Sequence, residues 1–243
     1  GNGTLYLLGT MDEENGTFKA QTDHAVDYGI DFYAPQTILT PDGRRVMIAW
    51  MQNWDTSRLH PKETPWFGQM TLPRELSVKN GRIYQNPIRE LEKLRHNKVE
   101  YKDVVFTDTI KLDKVKGRKV DLEIELEPVE GKELYKKFAV RFAQDCQYHT
   151  AVSFRPYESI LKVDRKFSGS RRAAIHQRRS QVSSENGKIK LRLILDWFSA
   201  EIFVNDGEQV MTITLYTDQA ADGISFFADG SVKMNVVKYD LIG

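Results

Sequence analysis

Two aspartates four residues apart are the first groups in the sequence whose type and spacing could do chemistry. Asp27 and Asp31 would face the same side of one continuous strand, where paired carboxylates can perform acid-base chemistry or bind sugar hydroxyls. Gly29 between them indicates a bend or bulge, which weakens that inference. The alternative is that both carboxylates accept hydrogen bonds from turn amides and order a loop. The spacing alone favours this structural alternative.

Large aromatic side chains follow the aspartates at short intervals. Aromatic faces pack against the C–H faces of sugars, and Tyr O–H and Trp N–H groups add fixed polar contacts. Trp50 and Trp54 stand among Gln, Asn and Asp side chains, which is more typical of a wet pocket rim than of a dry core. For any one of these residues the alternative is a core position. The aromatic residues concerned are Phe32, Tyr33, Trp50, Trp54, Trp66 and Phe67.

Short extended segments and tight turns must position these groups. Pro41-Asp42-Gly43 separates the extended segments 37–40 and 45–50, and Asn80-Gly81 separates a second pair, so two hairpins are expected. Apolar residues at helical spacing predict a short helix over Pro87–Arg95. The composition changes there, and we expect this helix to link two domains.

After the helix, the sequence returns to short strands with a period of two. Residues 121–127 read DLEIELE, which predicts Leu122, Ile124 and Leu126 on a buried face and the charged residues on a solvated face. Strands of this kind, separated by Gly- and Asn-containing turns, are typical of a β-sandwich.

Charged residues outside the aspartate pair are read mainly as structural. Arg74 and Glu75 follow Pro73 and fit either an inward ion pair or an exposed strand face. The basic segment Lys162–Arg179 fits a polyanion-binding patch or solvated strand faces, and the net charge of +1 favours solvated faces. Neither nucleic acid nor a membrane surface is an expected partner.

The remaining composition excludes several classes of protein. The chain of 243 residues has no apolar segment long enough to span a membrane and no signal-peptide pattern at its start. Its five histidines show no metal-ligand spacing, and no cofactor motif is present. Cys146 is the single cysteine, expected as a small buried residue in a strand. The scarcity of cysteine fits a cytoplasmic protein and many secreted bacterial enzymes as well.

Several of these segments together resemble glycoside hydrolase family 32, the family of invertases, sucrose-6-phosphate hydrolases, levanases and exo-inulinases. The segment 27–36, DYGIDFYAPQ, is similar to the acidic-Gly-Tyr-Ala motif of that family, and 44–54 to its next strand, which carries a pocket tryptophan. The segment 66–76, WFGQMTLPREL, is similar to the end of its catalytic domain. Segments 161–169 and 195–212 resemble strands of its C-terminal domain.

The resemblance implies an all-β protein in three parts. Residues 1–85 would be the last part of a five-bladed β-propeller, 86–97 a linker with a short helix, and 98–243 a β-sandwich. The activity implied is hydrolysis of terminal β-fructofuranosides with retention of configuration, such as those in sucrose, sucrose 6-phosphate or fructans. The family's three catalytic carboxylate motifs do not occur in this sequence, so the resemblance implies that they lie upstream of Gly1 and that this chain alone is inactive.

What the resemblance assigns to this chain is a wall of the sugar pocket. Trp50 matches the tryptophan that packs near fructose, Asp27 the acid at the leaving-group side, and Tyr33 lies in the same motif. No metal or cofactor is implied. A partial propeller leaves apolar surface exposed, so we expect the N-terminal fragment of the same polypeptide, or self-association, to cover it. The alternative is a non-catalytic carbohydrate-binding or interaction module built on the sandwich.

Overall fold

The computed structural model describes residues 3–51, 54, 68–169 and 175–242. Within these ranges the protein consists of β-strands and two short 3-10 helices, which confirms the all-β prediction. No helix among the described residues is both long and apolar enough to cross a membrane.

The N-terminal third forms a hairpin and a four-stranded sheet. The hairpin joins β1 (Leu5–Asp12) and β2 (Thr17–Ala25). The sheet is antiparallel with its strands in chain order: β3 (Tyr33–Leu39), β4 (Arg45–Trp50), β5 (Arg74–Lys79) and β6 (Arg82–Pro87).

Both predicted hairpin turns are present in the four-stranded sheet. Thr40 N–H donates to Arg44 C=O at 2.8 Å across the Pro41-Asp42-Gly43 turn. Asn80 and Gly81 have φ of +49° and +69°. A two-residue hairpin loop with a type I′ turn requires positive φ at both of these positions.

The helix predicted over Pro87–Arg95 is shorter than expected and of a different kind. Residues Arg89–Leu94 form a 3-10 helix, whose single buried residue is Leu91. Pro87 still belongs to β6, and Arg95 already begins the next strand, which leaves room for only six helical residues.

The rest of the chain forms a ten-stranded antiparallel sheet. Its order is β12-β11-β10-β9-β16-β8-β13-β14-β15, with β7 also pairing with β16. The strands are β7 (Arg95–Ile110), β8 (Val120–Pro128), β9 (Lys137–Gln144), β10 (Thr150–Arg155), β11 (Ile160–Asp164), β12 (Gln177–Gln181), β13 (Ile189–Asp196), β14 (Ser199–Val204), β15 (Gln209–Thr214) and β16 (Gly223–Leu241).

The long strand β16 connects the two arms of this sheet. Its first part, Gly223–Asp229, pairs with β9, and its second part, Val232–Asp240, pairs with β8. Side chains from both arms enter one apolar core, including Phe154 of β10 and Leu193 of β13. The sheet therefore curls around a shared interior.

The strand β8 confirms the predicted alternation with one correction. Leu122, Ile124 and Leu126 are buried in the core, as expected. Asp121, predicted on a solvated face, is fully buried because Arg95 and Arg192 both pair with it at 2.7 Å. The prediction of a buried Cys146 is wrong: the thiol is exposed in a turn after β9, which ends at Gln144.

Candidate functional site

Three aromatic side chains cluster where β3 and β4 pair. Tyr33 lies opposite Trp50 in the register, with ring centroids 6.2 Å apart, and Trp54 lies 5.6 Å from Trp50 and 6.3 Å from Tyr33. All three pairs meet edge to face, an arrangement that aromatic quadrupoles favour. Tyr33 and Trp50 are half-buried, while Trp54 is 64% exposed. We call these three residues the aromatic wall.

A local irregularity in β3 helps to form the aromatic wall. The register shifts between Tyr33 and Gln36, and Ala34 there has φ of +48°, rare for a residue with a side chain. Such a bulge changes the direction of neighbouring side chains. The sequence signal that could have located it is the break in alternation across Tyr-Ala-Pro.

The backbone behind Trp50 is held by the segment Gln69–Leu72. Met51 N–H donates to Gln69 C=O at 2.8 Å, and Thr71 N–H donates to Ala49 C=O at 2.9 Å. The Thr71 hydroxyl oxygen also accepts from Ala49 N–H at 3.1 Å. The segment thus continues the sheet beside β4.

The same segment is held from its other side by the ten-stranded sheet. Gln69 Nε2 donates to Phe198 C=O at 3.1 Å, and Leu72 N–H donates to the Glu201 carboxylate at 2.6 Å. The aromatic wall and β14 are therefore separated by only one strip of backbone.

Asp27 lies in a buried ionic cluster rather than on the aromatic wall. Its side chain is fully excluded from solvent and accepts from Arg74 Nη1 at 3.0 Å, Thr212 N–H at 3.0 Å and Gly29 N–H at 2.7 Å. Its oxygens contact these internal donors, and the contact of Asp27 with a sugar stays a prediction.

Arg74 is the centre of that cluster. Its guanidinium donates to Asp27, Gln85, Thr212 and Glu201, the last at 2.6 Å. Burial alone would lower the pKa of Arg74, but the two carboxylates hold it above its ordinary value. Burial raises the pKa of Glu201, and the negative charge of the nearby Asp27 carboxylate adds to that rise. Of the two interpretations of Arg74 and Glu75, the inward ion pair is correct for Arg74.

Asp31 makes an equivalent set of contacts with the next threonine of β15. Thr214 donates to it from its N–H at 2.7 Å and from its hydroxyl at 2.9 Å, and Arg165 forms a fully buried ion pair with it. The two aspartates thus contact threonines two residues apart on β15. Both join the N-terminal part to the ten-stranded sheet, which is a structural role as in the alternative interpretation, although β15 and two arginines supply most of the donors rather than turn amides.

The backbone between the aspartates also pairs with β15. Tyr28 N–H donates to Val210 C=O, and Ile30 N–H to Thr212 C=O, each at 2.8 Å. A Cβ on Gly29 would lie 2.1 Å from the Thr212 backbone nitrogen, so glycine is needed for this close approach.

Other residues singled out in the sequence fall outside the aromatic wall. Phe32 is buried in a small core cluster beneath Arg74, which lies 5.1 Å from its ring centroid. Trp66 and Phe67 lie outside the described residues. In the described part of the chain, no group of three or more His, Cys, Asp or Glu side chains is placed to hold a metal ion.

Comparison with known proteins identifies the family of this chain. The family model described as "Glycosyl hydrolases family 32 N-terminal domain" matches residues 1–87, and "Glycosyl hydrolases family 32 C terminal" matches residues 90–241. The chain belongs to glycosyl hydrolase family 32.

Individual relatives are enzymes that are named for sugar hydrolysis. The chain is 35% identical over 240 residues to a sucrose-6-phosphate hydrolase of Staphylococcus xylosus, covering 98% of this chain and 47% of that protein. It is 32% identical to a levanase of Bacillus sp. (strain L7), covering 98% of this chain and 27% of the levanase. The chain therefore spans about half or less of the length of these relatives.

Solved structures share the fold. An exo-inulinase from Aspergillus awamori superposes with a TM-score of 0.82 at 20% identity, covering 99% of this chain and 50% of that structure. The GH32 beta-fructofuranosidase BmSUC1 from Bombyx mori superposes with a TM-score of 0.71 at 27% identity, covering 98% of this chain and 47% of that structure.

Proposed function

We propose that this chain is the C-terminal portion of a retaining β-fructofuranosidase and forms one wall of its sugar pocket. The observation that carries the proposal is the aromatic wall, in which Trp50 and Tyr33 present a half-buried aromatic surface next to an exposed Trp54. Such a surface suits the apolar faces of a fructose-containing sugar. Family membership and the names of the relatives support the reaction class.

The carboxylates that react with the sugar come from outside this chain in our proposal. A retaining glycosidase needs a nucleophile and an acid/base about 5 Å apart and both facing the substrate. Asp27 and Asp31, the acids nearest to Tyr33 in the motif, are instead buried against Arg74 and Arg165. In this proposal the chain alone is inactive, and Asp27 positions its own segment against β15 instead of reacting with the sugar.

The fold assigned to the two parts follows the same proposal. Residues 1–85 supply the last blades of a five-bladed propeller, and 98–243 supply a β-sandwich made from the two arms of the ten-stranded sheet. The core shared by both arms supports the sandwich, and the chain-order sheet β3–β6 has the form of one blade.

Exposed apolar side chains support a covering partner for the N-terminal part. Large apolar residues of β1 and β2 are between 49% and 65% exposed, a pattern that soluble surfaces rarely show over a contiguous region. These residues are Leu5, Leu7, Met11 and Phe18. We propose that the N-terminal part of the same polypeptide covers them, and that self-association does so when that part is absent.

Kinetics of the full-length polypeptide that contains this chain would test the proposed function. Fructose release from sucrose, sucrose 6-phosphate and levan is measured for the wild type, Trp50→Ala and a matched control, Trp197→Ala. Trp197 lies in the β13–β14 turn and is 40% exposed. Loss of aromatic packing should lower kcat/KM of Trp50→Ala by roughly 10- to 100-fold.

The control decides whether the aromatic wall is part of the sugar site. Trp197→Ala should retain wild-type kcat/KM. Equal kinetics for Trp50→Ala and the wild type would remove Trp50 from the site, and no fructose release by the wild type from any of the three substrates would refute the function. Saturable fructan binding by the polypeptide without hydrolysis would favour the non-catalytic binding module.

A further inference from the structure

The outer face of strands β9 to β12 carries a group of basic side chains. Alternation directs Phe138, Phe154 and Leu161 into the core. The residues next to them in sequence, Lys137, Arg155 and Lys162, therefore lie on the opposite face. The register places Ser153 opposite Lys162, and Lys162 opposite Arg179.

These side chains surround a small open pocket. Its volume is about 30 Å³, and the side chains that line it include four cations and a single acid, Glu158. The full lining is Lys137, Ser153, Arg155, Glu158, Ile160, Lys162 and Arg179. We call this pocket the basic pocket.

Two of the four cations form ion pairs with the acids near the basic pocket. Arg155 pairs with Glu158 at 3.4 Å, and Lys162 pairs with Asp164 at 2.8 Å. Lys137 and Arg179 form no ion pair with any acid in the described ranges. Positive charge therefore remains in excess at the pocket.

The free protein maintains this excess at a cost in stability. Like charges directly opposite each other on paired strands repel, and Lys162 and Arg179 are such a pair. Burial, followed by the positive charges of Lys162 and Arg155, lowers the pKa of Lys137. An anion bound among these groups would relieve the repulsion.

We propose that the basic pocket binds a compact oxyanion of the phosphate class, free or as a phosphate monoester. An arginine guanidinium, lysine ammonium groups and the Ser153 hydroxyl supply the donors that a tetrahedral oxyanion accepts from. A volume of about 30 Å³ admits a group of a few atoms and leaves no space for a sugar ring or a base inside the pocket. This inference is independent of the proposed fructosidase activity, because it uses none of the residues of the aromatic wall.

Titration calorimetry on the intact polypeptide tests the basic pocket. The probes are inorganic phosphate, methyl phosphate and glucose 6-phosphate, each against potassium chloride at equal ionic strength. The variants are Lys137→Ala and Arg179→Ala. The matched control is Arg178→Ala, which removes the same charge from the same strand but lies opposite Val163, a core residue.

We expect saturable phosphate binding by the wild type and by Arg178→Ala, with affinities within about twofold of each other. Lys137→Ala and Arg179→Ala should bind at least about tenfold more weakly, as expected when a charge-assisted hydrogen bond is lost. Tighter binding of either ester than of inorganic phosphate would identify an esterified ligand, and equal binding would identify free phosphate.

Two results would overturn the proposal. One is the absence of any heat beyond that of potassium chloride. The other is an equal loss of affinity in Arg178→Ala and Arg179→Ala, because binding would then depend on overall charge rather than on the pocket. If Lys137→Ala does not fold, phosphate binding by Arg179→Gln supplies the test in its place, because Arg179 is exposed.

Discussion

The Glu201 carboxylate on β14 accepts a hydrogen bond from the Leu72 backbone N–H at 2.6 Å, directly behind the strand that carries Trp50. Through this contact the ten-stranded sheet holds the strip of backbone that pairs with Ala49 and Met51. The geometry of the aromatic wall therefore depends on a residue more than one hundred positions away in sequence.

Glu201→Leu should loosen the backbone behind Trp50. The substitution removes the acceptor of the Leu72 N–H and also the buried ion pair between Glu201 and Arg74 at 2.6 Å, so Leu72 and the residues that pair with β4 should open more often. Amide hydrogen exchange at Ala49 and Met51 should accelerate by at least about tenfold. Glu123→Leu on β8 is the control, and faster exchange in that variant as well would show that the effect is general destabilisation.

Arg74→Met should be among the most destabilising single changes in the chain. It leaves the carboxylates of Asp27 and Glu201 buried without a cation, which typically costs about 3–5 kcal/mol. Arg82→Met, which removes a partly exposed pair with Glu208 at 3.2 Å, should cost less than about 1 kcal/mol. Urea unfolding of the two variants measures the difference, and similar losses would contradict the role given to Arg74.

Gly29→Ala should separate residues 27–31 from β15. The new Cβ would lie 2.1 Å from the Thr212 nitrogen, which forces the backbones apart and breaks the bonds that Tyr28 and Ile30 donate. We expect a loss of about 2 kcal/mol or more in the free energy of unfolding. Gly3→Ala, where a Cβ would meet nothing within 4 Å, should be nearly neutral. A neutral Gly29→Ala would show that the approach is looser than described.

Glu75→Gln should lower the stability of the protein at neutral pH, and the difference from the wild type should shrink in acid. A hydrogen bond from Arg89, with further donors, lowers the pKa of Glu75 from 4.5 to about 2. Since folding favours the ionised form, the contribution of Glu75 is complete above pH 4.5 and is lost as the pH falls through about 2. Between about pH 2 and pH 4.5, the free energy of unfolding should therefore change less with pH in Glu75→Gln than in the wild type. Glu92→Gln, an exposed acid on the nearby 3-10 helix, should keep the wild-type slope.

Local sequence patterns predicted the parts of this fold that depend on neighbouring residues. The turns at Pro41-Asp42-Gly43 and Asn80-Gly81 were predictable because their backbone conformations limit the residues allowed there. The alternation of Leu122, Ile124 and Leu126 likewise follows from one buried face.

Features that depend on distant residues were not predictable in this way. Asp121 and Arg74 are charged residues in strand patterns, and only the partners brought by other strands explain their burial. Cys146 was expected in a strand, but β9 ends two residues before it. Resemblance to the family singled out Trp50 and Tyr33, which lie opposite each other in the sheet, whereas the acceptor behind Leu72 had no signal in sequence spacing.

The contacts of residues 27–31 with β15 affect how readily one molecule of the protein associates with another. β15 is the last strand of its sheet, and its outward N–H and C=O groups would otherwise be open to a strand from another molecule. Asp27 and Asp31 accept from the N–H groups of Thr212 and Thr214, while Tyr28 and Ile30 donate to the C=O groups of Val210 and Thr212. We therefore expect residues 27–31 to protect the edge of β15 from pairing with a strand of another molecule, and so from aggregation.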